Sequence, residues 1–283
     1  HESPSTGIRW RTWLAAYIAM GFGVLTKGPI GIFFPMAVIG LFLLCTTKRR
    51  EIAATATHWE RIWAAIEPFG PVNFLRTTWQ MRPLTAIAML LVVAGPWYLL
   101  VGLQTKGQFL VEFFGVHHFG RFTTSMDNHG GNWLYYLITC EIGMFPWSIF
   151  VIPTTMLWWQ RLTRDASPKF VFIACWAAVY LVIFSLARTK LPNYVLPAYP
   201  ALALMLAHCL ETWLTDRQAL SRFWMRHAQS LAISVGLTFV IGMPIAGSWP
   251  IGGQTILDRF QLSAEVQRET VWLGLSGLPL IAG

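Results

Sequence analysis

The chain has 283 residues, of which 55% are hydrophobic and only 12% charged, and its mean hydropathy is +0.50. A soluble domain carries about 25% charged residues, so a water-soluble body of this size would lack a polar cover, and that class is excluded. The net charge of +8 does not indicate a nucleic-acid partner, because the basic residues concentrate in loops between apolar stretches.

In chain order, Arg9 and Arg11 precede an apolar stretch over about 12–25. Thr26-Lys27-Gly28-Pro29 interrupts it, and a second stretch runs over 30–46. A basic loop with Lys48, Arg49, Arg50, Arg61, Arg76 and Arg82 leads to a third at 83–103. The polar segment from Gln104 to Asn132 follows, and then stretches at 133–157, 170–187, 192–212 and 228–247. A span needs ~20 residues and the first stretch is short, so the pattern reads as an all-α, polytopic transmembrane helix bundle with about six complete spans. A truncated seventh starts near Val271 and meets the chain end at Gly283. With His1 in place of an initial Met, the sequence reads as a fragment of a longer protein, with one transmembrane domain over 1–283.

Of the fifteen tryptophans, many stand near span ends (Trp10, Trp13, Trp97, Trp133, Trp158, Trp159), where an amphipathic ring suits the headgroup level. The loops alternate sides, and one side holds fourteen of the 21 lysines and arginines. Cytoplasmic loops carry the excess of cations, so that side is cytoplasmic. The four cysteines, Cys45, Cys140, Cys175 and Cys209, lie in or at the ends of apolar stretches without a metal or disulfide spacing. They read as small hydrophobes.

Three polar clusters fall on the cation-poor side. Lys27 stands where one helix ends and another begins, with Gly28 allowing the turn and Pro29 suited to a first helical position. The free N–H groups of the new helix point where the ammonium points. That arrangement suits a phosphate or carboxylate, and it equally suits a lysine snorkelling at a helical hairpin. The second cluster mixes Phe109, Phe113, Phe114, Phe119 and Phe122 with Glu112, His117, His118, Arg121, Asp127 and His129. Residues 109–122 read as an amphipathic helix lying in the interface. His117 and Arg121, four apart, share a face of it, and a guanidinium beside an imidazole can grip a phosphate by two hydrogen bonds. The same loop could supply metal ligands or be solvated and inert.

The third cluster, Ala187 to Pro200, places Arg188 and Lys190 at the outer end of a span and Pro192 at the start of the next. Pro197 and Pro200 are expected inside that helix, kinking it and freeing carbonyls. Tyr194 lies one turn into it. Two cations beside a broken helix suit a second anion contact, and Arg, Lys and Tyr together also suit interfacial anchoring.

The blocks GVLTKGPIGIFFP, EFFGVHHFGRF, NHGGNWLYYL, GMFPWSIFVIP and RTKLPNYVLPAYPALALMLA, in this order along nearly the whole chain, resemble the bacterial class C membrane glycosyltransferases. The nearest resemblance is to the aminoarabinose transferase that modifies lipid A and to the protein O-mannosyltransferases. The resemblance implies an inner-membrane enzyme that uses a polyprenyl-phosphate-linked sugar as donor. It implies transfer on the extracytoplasmic face to lipid A, another glycan or a protein hydroxyl. By the same resemblance, His117, His118 and Arg121 match the segment that meets the lipid phosphate and, in some members, a divalent metal. Lys27 matches the lysine of the TKGP block, and Tyr194 the tyrosine of the KLPxY block near the donor cavity. Lys190 joins this donor-binding set. The family's first extracytoplasmic loop, with its acidic motif, has no counterpart in the chain. The catalytic carboxylate is therefore expected upstream of His1, leaving Asp127 as the nearest aspartate and an inactive fragment as the expectation.

The residue types fit that chemistry. Negative charge develops on the leaving phosphate as the sugar–oxygen bond breaks, and fixed cations in a dry cleft stabilise it. A cation-lined outward face also suits a transporter or flippase for an anionic lipid, or a membrane scaffold without chemistry. No inverted repeat, the mark of many transporters, is visible.

Overall fold

The computed structural model describes residues 9–47, 57, 59, 66–115, 132–165, 167–217, 219–242, 250–251 and 254–255. The fold is helical. Besides its helices, the described residues hold a two-residue antiparallel pair, β1 (Pro250–Ile251) with β2 (Gln254–Thr255). The chain divides into two compact units. The first comprises His1–Thr139 and Arg161–Leu202, and the second Cys140–Gln160 and Ala203–Gly283.

In the first unit, α1 (Trp10–Lys27) and α2 (Ile30–Thr46) form a hairpin. Gly28 turns the chain at φ 67°, a conformation that costs glycine nothing. Beyond the turn the backbones touch. A Cβ on Gly31 would lie 2.6 Å from the Val24 nitrogen and closer still to Gly23. A short helix, α3 (Pro71–Gln80), leads through a left-handed Arg82 into α4 (Pro83–Val93) and α5 (Gly95–Gln104). These two are bent by 52°, as expected where Pro96 removes a hydrogen bond and crowds the preceding turn. Trp13, Tyr17, Met20, Met81 and Ala86 form the core under α1, with the Tyr17 hydroxyl donating to the Met81 carbonyl. The exposed side chains of Val72, Phe74, Leu75 and Trp79, set among polar residues, make α3 amphipathic. In the sequence this stretch falls in the basic loop between spans, because ten residues are too few for a span.

After α6 (Gln108–Val111) and α7 (Tyr135–Gly143), α8 (Val151–Gln160) leads to α9 (Pro168–Leu186). The next helix opens differently from the expectation. Pro192–Ala198 is a 3-10 turn and α10 (Tyr199–Thr215) starts after it. Pro200 therefore sits in a first turn, where the missing N–H is harmless, and the Pro197 carbonyl accepts from the indole N–H of Trp176 at 2.9 Å. The second unit is centred on Phe150, Leu157, Cys209, Leu220, Met225 and Ala228, which join α8, α10 and α11 (Arg222–Leu237).

Among the described residues two stretches are long and apolar enough to cross a membrane, Pro168–Leu186 and Pro192–Thr215. Counting each of two bent helix pairs as one span makes four. The expected count was about six. Ile30–Thr46 is apolar but has 17 residues, and the first half of α11 is polar, with Arg226, His227, Gln229 and Ser230. The expected last span from Val271 lies outside the described residues.

Candidate functional site

The described parts of the three clusters gather at one end of the first unit. Phe34, one turn into α2, stacks on Tyr180 and Phe184 of the last turns of α9, with ring centroids 4.5 and 4.8 Å apart. Tyr136, in the first turn of α7, meets Phe184 at 6.0 Å, and Tyr194 meets it at 5.2 Å. The Tyr98 hydroxyl donates to the Val24 carbonyl near the end of α1 at 3.0 Å. Tyr98 also packs against Phe113 and Phe114 at 6.1 and 5.6 Å. Aromatic contacts thus bring together the α1–α2 turn, the segment after α5, the start of α7 and the end of α9.

Within this end the two lysines differ in role. Lys27 closes α1 with an exposed side chain. Lys190 is 4% exposed, and its ammonium donates to the carbonyls of Phe184 at 3.0 Å and Ser185 at 2.6 Å. It also lies 5.4 Å from the centre of the Tyr136 ring. The last carbonyls of a helix lack intrahelical donors, and here a lysine from beyond the helix supplies them. The negative end of the helix dipole favours a cation at this place. Burial lowers the Lys190 pKa from the ordinary lysine value, because desolvation disfavours the charged form.

Tyr136, fully buried, holds the same turn from the other side. Its hydroxyl accepts the Leu191 N–H at 3.1 Å. Tyr199 reaches back to the Thr139 carbonyl at 3.3 Å. The turn that carries Arg188 and Tyr194 is therefore pinned by Lys190 and Tyr136, and Arg188 is exposed on it. The sequence expectation puts Lys190, not Arg188, in the donor-binding set and does not single out Tyr136. A buried tyrosine at a span start leaves no periodic signal that separates it from an interfacial anchor.

The expected helix over 109–122 is seen as α6 and a π turn at 112–115. Phe109 folds back onto Trp97 at 5.6 Å and stacks on Phe113 at 5.3 Å, in keeping with an apolar face turned to the bundle. His117, His118, Arg121, Asp127 and His129 lie outside the described residues. Among the described residues no group of three or more His, Cys, Asp or Glu gathers as metal ligands would. The described turns carry an exposed lysine, Lys27, and an exposed arginine, Arg188, a pair of cation types that suits an anion.

The solved structures of ArnT from Cupriavidus metallidurans share this fold. With the form bound to undecaprenyl phosphate the TM-score is 0.61 at 21% identity, covering 99% of this chain and 43% of that one. With the apo form it is 0.58 at 20%. No family model matches the chain. Curated relatives do. An undecaprenyl phosphate-alpha-4-amino-4-deoxy-L-arabinose arabinosyl transferase of Erwinia tasmaniensis is 29% identical over 198 residues, 69% of this chain and 30% of the relative. The enzyme of that name from Pseudomonas paraeruginosa is 28% identical over 222 residues, 78% of this chain and 34% of the relative. The chain's homologues are aminoarabinosyl transferases. It spans about a third of the length of these curated relatives. The resemblance read from its sequence blocks is thereby found in both sequence and fold.

Proposed function

We propose that this chain is part of a membrane glycosyltransferase that moves a sugar from a polyprenyl-phosphate carrier to an acceptor hydroxyl on the cation-poor, extracytoplasmic side. The observation that carries the reading is the gathering of the α1–α2 turn, the loop after α5 and the Arg188–Tyr194 turn at one end of one unit. The relatives' names supply the first donor to try, undecaprenyl phosphate-α-4-amino-4-deoxy-L-arabinose. Lipid A is the first acceptor, ahead of another glycan or a protein hydroxyl.

In this reading the leaving phosphate takes up negative charge as the glycosidic bond breaks, and cations placed before the reaction lower that barrier. Arg121, with His117 and His118 beside it in sequence, meets the phosphate by paired N–H donors. Lys27 adds charge from the α1–α2 turn, and Tyr194 lines the donor cavity. Lys190 acts chiefly by fixing the turn, since two of its three N–H donors are committed to carbonyls. A carboxylate takes the proton of the acceptor hydroxyl, and Asp127 is the candidate for that role within this chain. His117 and His118 are the candidates for a divalent metal.

The test uses the full-length gene product in nanodiscs with polyprenyl-phosphate sugars, with and without EDTA, following free polyprenyl phosphate by mass spectrometry. Release is expected with at least one donor, and Arg121→Ala is expected to lower it at least 100-fold, the usual scale for one charge-stabilising donor. Near-normal turnover by Arg121→Ala would sink the leaving-group assignment. Tight donor binding with no release from any sugar would instead favour a lipid-binding or transport role.

A further inference from the structure

A pocket in the second unit carries an inference independent of the transferase reading. Between the last turn of α10 and the first two turns of α11 lies a cavity of about 360 Å³. Three guanidinium groups line it, from Arg217, Arg222 and Arg226, together with the Gln229 amide. Its floor is Leu220 and Met225, both buried in the core that joins the two helices. Arg217 is held over the Trp213 ring, 5.3 Å from its centre, the cation–π arrangement that fixes a guanidinium plane.

Arg222 and Arg226 stand four apart on α11, so they share a face and repel one another. None of the three arginines forms an ion pair among the described residues, where the ion pairs are Arg161–Asp165 and His208–Glu211. No aspartate or glutamate lines the cavity. Three like charges around one hollow, with an apolar floor and an amide donor, favour a group with several acceptor oxygens. Guanidinium forks match phosphate oxygens in pairs. The position in the chain narrows the choice. Residues 213–226, the end of α10, the turn after it and the start of α11, lie between the apolar stretches 192–212 and 228–247, on the side that holds fourteen of the 21 lysines and arginines. Basic clusters next to a span on that side meet the anionic headgroups of the cytoplasmic leaflet.

We propose that this pocket binds the phosphodiester of an anionic phospholipid headgroup, with Arg217, Arg222, Arg226 and Gln229 as its donors and the acyl chains leaving along the neighbouring spans.

The test is native mass spectrometry of the full-length protein in detergent, titrated with cardiolipin, phosphatidylglycerol and phosphatidylethanolamine. An arginine at the membrane surface contributes about fivefold to anionic-lipid binding, so Arg222→Gln with Arg226→Gln should weaken cardiolipin binding roughly 25-fold. All three arginines are exposed, so the melting temperature should hold. Arg222→Lys with Arg226→Lys, keeping the charge without the fork, should recover part of the loss. Equal cardiolipin binding by the glutamine variant and the parent would overturn the proposal, as would phosphatidylethanolamine binding as tightly as cardiolipin. Arginine-dependent binding of inorganic phosphate without retention of either anionic lipid would overturn the headgroup as its source.

Discussion

The α1–α2 turn and the turn after α9 look alike in sequence, each a lysine within two residues of a proline at the end of an apolar stretch. They are built in contrasting ways. The first is fixed by missing side chains. Gly28 takes a positive φ and Gly31 lets α2 press its backbone onto α1, while Lys27 stays exposed. The second is fixed by side chains, with Lys190 filling the carbonyl end of α9 and Tyr136 holding Leu191. Where backbone geometry makes the turn, the lysine at the helix end is exposed. Where the turn needs donors, the cation goes to the turn.

The contrast breaks most sharply at Gly31. Gly31→Ala would drive a methyl group into the backbone at Gly23 and Val24, and backbone cannot swing aside as a flexible side chain does. Overpacking of this kind costs about 3 kcal/mol, and a thermal melt of the full-length protein in detergent should show it as a clear drop. An unchanged melting temperature would mean that the two helices do not touch at this point.

Lys190→Met comes next. It keeps the length of the stem but leaves the Phe184 and Ser185 carbonyls without their donor. Hydrogen bonds to charged groups contribute about 1.5–3 kcal/mol, so a loss of about 2 kcal/mol is expected in the same melt. If Lys190→Met melts like the parent and loses only donor binding, the lysine is a ligand rather than a cap.

How much of this was legible in the sequence follows the same division. Apolar stretches, basic loops and the Gly-Pro turn are local signals, and they marked the helical membrane class and the α1–α2 hairpin. What was missed depends on contacts distant in sequence. Tyr136 meets Leu191 across 55 positions, and Trp176 donates to the carbonyl of Pro197 across 21. The proline pair was read as a kink inside one helix. A 3-10 turn before Tyr199 places Pro200 where its ring costs little, and only the fold could show that start. The amphipathic α3 has ten residues, about half the ~20 that a span needs, so hydropathy over span lengths does not show it. The residues on which the phosphate chemistry most depends, His117, His118 and Arg121, rest on the four-residue spacing of His117 and Arg121 and on the resemblance of the EFFGVHHFGRF block.

Lys27→Gln tests the exposed half of the contrast. An assisting cation near a developing phosphate charge should be worth about tenfold in turnover, or about 1.4 kcal/mol of barrier. The expected result is a tenfold slower release of polyprenyl phosphate from protein that still folds. Full activity in Lys27→Gln would make Lys27 an interfacial anchor.

The smallest effect is the finest probe. Tyr136→Phe keeps the ring beneath the Lys190 ammonium and removes only the oxygen that accepts the Leu191 N–H. One neutral hydrogen bond contributes about 1 kcal/mol net, so the melt should shift less than for Lys190→Met. Because both side chains hold one turn, their losses should not add. Groups that share a network couple by about 0.5–3 kcal/mol, and a double-mutant cycle of Tyr136→Phe with Lys190→Met should return a coupling in that range. Strict additivity would mean that the two residues pin separate pieces of backbone. Arg188 and Tyr194 would then be free to shift independently, and the turn could not present them as one rigid arm.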